Sequence, residues 1–136
     1  MHEKKIKGDI GLAFSIAVLT EQLWNVNLPL SESTKYDLIA EKNGVCKKVQ
    51  VRYTSPKNNI LKVKLRSSWS DKNGTHNKDR EIGDYDTLAV FCPENKEVYF
   101  INDSEFSSKT GLNLRINNLK KNEHKARYAE DYKLMK

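Results

Sequence analysis

Asp37 stands thirteen residues before Gln50, which opens a Gln50-Val51-Arg52 triplet, and an Asn43-Gly44 pair lies between them. A carboxylate and a side-chain amide oxygen are hard donors of the kind Mg²⁺ accepts, usually together with waters and phosphate oxygens. Arg52 keeps its charge at any ordinary pH, so it suits clamping charge that develops on a phosphate but not moving a proton. Brought together, these groups would support metal-assisted attack on a phosphate. The plain alternative is a half-buried hairpin with a polar outer face.

The Asn-Gly pair decides what the spacing means. Both central residues of a type I′ turn need positive φ, which Asn and Gly tolerate, and β-branched and apolar residues flank the pair. A two-residue loop there pairs Leu38 with Val49, Asp37 with Gln50 and Tyr36 with Val51. Tyr36, Leu38, Ala40, Val49 and Val51 then share one apolar face, and Asp37, Gln50 and Arg52 share the other. Opposed residues lie roughly 5 Å apart at Cβ, close enough for one ion to touch both Asp37 and Gln50. The Val51 carbonyl is a third oxygen donor. A further acid would raise the charge of the set, and Asp9, at the start of the first helix, is the candidate. Its competing use is to complement the helix macrodipole.

The elements that must position these residues follow from periodicity. Gly8 to Trp24 reads as a helix with Ile10, Ala13, Phe14, Ala17 and Val18 recurring at three- and four-residue spacing and Leu12, Ile16 and Leu19 widening the stripe, so it is expected to pack on a sheet. Pro29 ends any continuation. After the hairpin, "ILKVKLR" alternates Leu61, Val63 and Leu65 with Lys62, Lys64 and Arg66, one face for the core and one a row of cations. Ser67 to Tyr85 is polar and Gly-bearing and reads as a long loop. "DTLAVFC" suits a buried strand, "VYFI" another and "LNLRI" an edge strand. Asn102 or Asp103 is placed to cap a short helix through Ser108, and "NEHKARYAEDY" to form a last helix. The order indicates a single mixed α+β domain spanning 1–136.

Composition narrows the partners. The net charge is +6, and from Lys42 to Ser70 eight basic residues occur with no Asp or Glu. A second basic stretch between Lys109 and Lys136 includes Arg115, Lys120, Lys121, Lys125 and Arg127. Charge so localised favours a polyanion, because neutralising phosphates releases condensed counterions. No apolar run reaches the roughly 20 residues of a membrane span, and a cytosolic protein is expected. Cys46 and Cys92 lack ligand-spaced partners, which argues against a disulfide framework or a zinc site and for buried or half-buried thiols. No phosphate-binding glycine loop or Ser/His/Asp pattern competes.

The chain resembles the PD-(D/E)XK nuclease superfamily, with Tyr36-Asp37 and Gln50-Val51-Arg52 as its motif. The blocks "KGDIGLA", "LPLSESTKYDLIAEKNG", "VQVRYTS", "LRSSWSDKNG" and "LAVFCPENKEVYFI" are similar to those of small homing endonucleases encoded with bacterial and phage group I introns, a subgroup with glutamine in the acidic position. The resemblance implies a restriction-endonuclease-like core, a mixed, mostly antiparallel sheet flanked by helices. It implies Asp9, Asp37, Gln50 and Arg52 as catalytic residues, and Asp9, Asp37, Gln50 and the Val51 carbonyl as ligands of Mg²⁺, with Mn²⁺ as a substitute. The activity implied is hydrolysis of double-stranded DNA at a specific site by a dimer or tetramer, in a bacterial or phage-infected cell. Lys62, Lys64, Arg66, Trp69, Lys72, Asn73, His76, Asn77, Lys78 and Arg80 would then face DNA. Two departures stand out: Tyr36 replaces the motif proline, and Arg52 the motif lysine. The second keeps open a DNA-binding module that does not cut, and a resolvase selective for branched DNA is a separate alternative.

Overall fold

The computed structural model describes residues 3–116 and 126–136. Helix α1 (Glu3–Glu21) comes first, followed by β1 (Asn25–Asn27), β2 (Leu38–Lys42) and β3 (Val45–Tyr53). Next are β4 (Ile60–Lys64), β5 (Ser67–Asp71), β6 (Gly74–Lys78), β7 (Thr87–Cys92), β8 (Glu97–Asn102) and β9 (Gly111–Arg115), with short 3₁₀ turns at Asp103–Glu105 and Ala129–Tyr132. Five strands make the central sheet in the order β1-β2-β3-β7-β8. Only β3 and β7 run parallel; the other neighbours are antiparallel. The expected mixed α+β core of a PD-(D/E)XK nuclease is therefore present.

The hairpin forms at the expected turn. Asn43 and Gly44 take φ of 53° and 82°, and Lys42 pairs with Val45 and Leu38 with Val49, the register the turn dictates. Beyond Leu38 the expected pairing stops. The Asp37 amide donates to the Val49 carbonyl at 2.8 Å instead of continuing the ladder to Gln50. Tyr36, expected beside Leu38, packs instead against the cluster on the opposite side of the sheet. An irregularity at a strand end re-aims side chains in this way.

Two cores sandwich the sheet. On one face α1 packs against β3 through Gly11, whose Cα leaves room only for a close approach: a Cβ there would lie 3.4 Å from the Val51 Cγ1. Phe14 stacks on Phe91 at 4.5 Å between ring centroids. The fully buried side of α1 is Gly11, Ser15 and Leu19; of the expected stripe Leu12, Phe14, Ile16, Val18 and Leu19 pack against this core, whereas Ile10, Ala13 and Ala17 face solvent. Glycine sets that choice, since the helix turns its narrowest side to the sheet. Ser15 meets its own hydrogen bond by donating to the Gly11 carbonyl at 2.7 Å.

On the other face lies a two-stranded ribbon rather than a second long helix. β4 pairs with β9, and Leu61, Val63 and Leu65 join Leu112 and Leu114 beneath Leu88, Val90 and Ile101. Each fully buried leucine contributes about 2 kcal/mol relative to exposure, enough to hold a ribbon only five residues long. β7 is buried along its whole length because both faces are covered. The expected edge strand "LNLRI" is an edge strand, β9, paired with the cationic strand β4 in the two-stranded ribbon.

The region expected as a long loop is partly a hairpin. β5 and β6 pair from Ser67↔Lys78 to Asp71↔Gly74 around a two-residue loop, Lys72-Asn73. The short helix expected to run to Ser108 is only the turn Asp103–Glu105, where the Asn102 amide donates to the Glu105 carboxylate at 3.1 Å. The expected last helix does not form where it is described: residues 122–125 lie outside the described residues, 126–128 are not helical, and only Ala129–Tyr132 makes a short 3₁₀ turn. Cys92 is buried, but Cys46 is exposed on the hairpin, against expectation. Among the described residues no helix is long and apolar enough to cross a membrane.

Candidate functional site

β3 presents alternate residues to opposite layers. Val49, Val51 and Tyr53 meet α1, so Gln50 and Arg52 face the ribbon side. There they line a cavity of about 220 Å³ with Asp37, Lys35 and Tyr85. The hairpin therefore does bring Asp37, Gln50 and Arg52 to one cavity, although the Asp37–Gln50 strand pair is absent.

Asp37 is fixed by the strand it lies beside. Its Oδ2 accepts the Val51 amide hydrogen at 2.7 Å. In an extended strand the N–H and C=O of one residue leave on the same edge, so the Val51 carbonyl opens toward this same side. Burial pushes the Asp37 carboxyl above its ordinary range, while the Val51 amide and the Arg52 charge pull it partly back. A half-buried carboxylate whose charge is poorly solvated is a group that gains from a nearby cation.

Among the described residues Arg52 acts on Asp37 and Tyr85 only through its charge. Its Nε is buried with no hydrogen bond, and no ion pair engages its guanidinium among the described residues. Burying such a donor unpaired costs about 1–3 kcal/mol, which marks it as a group kept for something other than stability. Arg52 also lines a second cavity, of about 590 Å³, on the side of Lys62 and Lys64.

The remaining expected residues fall into distinct settings. Asp9 is exposed on α1 and does not line the Asp37 cavity, and no cluster of three His, Cys, Asp or Glu side chains occurs among the described residues. Lys62 and Lys64 point to solvent from β4, and Lys64 donates to the Ser68 hydroxyl at 3.0 Å. Arg66 is paired with Asp79 at 2.5 Å. Trp69, half exposed at 49 %, stacks on His76 with centroids 5.4 Å apart, and the His76 Nε2 lies 3.0 Å from Asp71. Lys72 and Asn73 form the tip of that hairpin, Asn77 accepts from the Ser68 hydroxyl at 2.6 Å, and Lys78 lies 3.9 Å from Glu81.

Arg80 corrects the expectation most sharply. It is 4 % exposed, and its guanidinium pairs with Asp103 and donates to the carbonyls of Ser108, at 2.7 Å, and Phe106, at 3.0 Å. Each of its three nitrogens holds one of these bonds, which locks the Phe106–Ser108 segment, and the side chain also lines the Asp37 cavity. Sequence reasoning missed Lys35, Tyr85 and two further carboxylates, Asp79 and Asp84, at the cavity. Lys35 had a signal, two residues before Asp37; Tyr85 had none, since it arrives from a segment 35 residues beyond Gln50.

A mixed sheet with an Asp just ahead of one strand and a Gln-Val-Arg triplet on the next, all lining one cavity, defines a nuclease-like architecture. The family model described as PD-(D/E)XK endonuclease matches residues 1–135, and the chain belongs to that family. The chain is similar in fold to a solved structure titled "The structure of a bacterial homing endonuclease: I-Ssp6803I", with a TM-score of 0.76 and 24 % identity over 96 % of this chain and 88 % of that one. No curated protein matches the sequence.

Proposed function

We propose that the protein is a divalent-metal-dependent endonuclease that hydrolyses double-stranded DNA at a specific site, of the homing type associated with group I introns, as a single nuclease domain working in a homodimer or homotetramer. The observation that carries this reading is the meeting of Asp37, Gln50 and the uncommitted Arg52 in one cavity of a PD-(D/E)XK endonuclease chain. The similarity to a bacterial homing endonuclease supports it.

The donor set suits Mg²⁺ or Mn²⁺ in a particular way. One carboxylate, one amide oxygen and one backbone carbonyl form a partial shell, of the kind completed by waters and substrate phosphate. Asp37, Gln50 and the Val51 carbonyl would hold the ion. Asp9, exposed on α1, would join only through DNA or water. A divalent cation bound there supplies Lewis-acid stabilisation and a more acidic water.

The chain's own groups do the rest. Asp37 is held in one orientation by the Val51 amide, so its free oxygen is aimed before substrate arrives. Gln50 adds an oxygen without adding charge, which keeps the cavity receptive to a phosphate. Arg52 faces the phosphorus and stabilises the charge of the pentacovalent transition state. The arginine in the lysine position is also what a DNA-binding module that does not cut would show.

Wild-type protein incubated with Mg²⁺ and DNA spanning an uninterrupted intron insertion site should give discrete double-strand cuts, and none in EDTA. Binding without any cutting in Mg²⁺ or Mn²⁺ would favour the module, and cutting confined to four-way junctions the resolvase.

A further inference from the structure

Arg52 lies between two cavities, and only the first holds the Asp37 carboxylate. The second is lined by five cations, Lys4, Arg52, Lys62, Lys64 and Arg66, and by no acid. Lys4 comes from the first turn of α1, so the cavity gathers charge from a helix, the central sheet and the ribbon. Arg66 spends part of its charge on Asp79, and Lys64 donates to a neutral hydroxyl, but Lys4 and Lys62 have no ion-pair partner among the described residues. Concentrating that much like charge is unfavourable unless a polyanion relieves it.

We infer that the second cavity is a phosphate site for the DNA strand flanking the scissile bond, and that Arg52 bridges the scissile phosphate in the first cavity and the flanking phosphate in the second. The inference rests on the endonuclease reading. It explains the arginine in the lysine position chemically. A guanidinium offers five donors in a planar fork and can serve two phosphates at once, whereas an ammonium is a single point charge. It also gives the N-terminal turn of α1 a role in holding DNA, through Lys4.

The test uses a duplex bound in Ca²⁺, so that cleavage is not needed for a signal. Lys4→Gln with Lys62→Gln removes two exposed, unpaired cations and should leave the melting temperature unchanged. The slope of log affinity against log salt should fall by about two units relative to wild type. A single neutral methylphosphonate next to the cut position should weaken wild-type binding about tenfold but the double variant less than about threefold, since the two changes remove the same contact. An unchanged slope, or equal methylphosphonate penalties in both proteins, would overturn the proposal. Inorganic phosphate at matched ionic strength should not displace the duplex; displacement from wild type but not from the variant would make this a free-anion site and also overturn it. A wild type that binds no duplex at low salt would instead bring down the endonuclease reading itself.

Discussion

The Asp37 carboxylate accepts the Val51 amide hydrogen at 2.7 Å, so a side chain takes the place a strand would have filled beside β3. That contact ends the β2–β3 ladder and leaves the cavity side of β3 free to present Gln50 and Arg52. It also holds a carboxylate where burial makes its charge costly.

This cost gives a pH signature. The folded Asp37 carboxyl protonates more readily than the unfolded one, whose ordinary value is 3.8. The folded state therefore carries extra proton above that value, and the resulting stability is fully present below it and lost as pH rises through the raised folded value. Thermal unfolding of the metal-free protein should show this loss, and Asp37→Asn should flatten it. Added Mg²⁺ should raise the wild-type melting temperature more at high pH than at low, and leave Asp37→Asn unmoved.

Gln50→Glu adds one negative charge to the ion's shell. Its divalent-cation affinity, read by titration calorimetry, should rise about tenfold, roughly the 1.4 kcal/mol of one moderately screened charge interaction. Gln50→Leu should lose cation binding while the fold persists. Equal affinity in all three proteins would remove Gln50 from the site.

Arg52→Lys restores the family's motif residue but gives up the fork. Cleavage should fall about tenfold, a modest loss of transition-state stabilisation. Faster cutting by the lysine variant would contradict the bridging role.

Arg80→Ala leaves Asp103 largely buried and unpaired and should cost about 3–5 kcal/mol, seen as a lower denaturant midpoint. Arg80→Met with Asp103→Leu should recover most of it. A small effect of Arg80→Ala would return Arg80 to the surface cations.

These two arginines show what a sequence discloses. The Asn43-Gly44 turn, the Leu/Lys alternation of β4 and the unbroken apolar run of β7 each write a local rule into adjacent residues, and all three elements are where those rules put them. The same turn puts Gln50 and Arg52 on one face, but Asp37 reaches their cavity past the end of the ladder, held by the Val51 amide. Arg80 is buried because Asp103, 23 residues later, folds over it, and no local pattern records that. The β5–β6 hairpin was hidden for a different reason: it has almost no apolar alternation, only Trp69 stacked on His76, so its polar residues read as loop. The helix face is only partly legible: periodicity turns Phe14, Val18 and Leu19 inward, but the closest contact is made by the small Gly11, which hydrophobic periodicity does not count, and Ile10, Ala13 and Ala17 face solvent.

The most direct measurement compares wild type with Asp37→Asn on one duplex target. Both should bind it in Ca²⁺ with affinities within a few-fold. In Mg²⁺ the wild type should cut and the variant should not, a loss of at least about a thousandfold in rate. Equal cutting by both proteins would contradict the account, because hydrolysis would then not depend on the carboxylate around which the site is built.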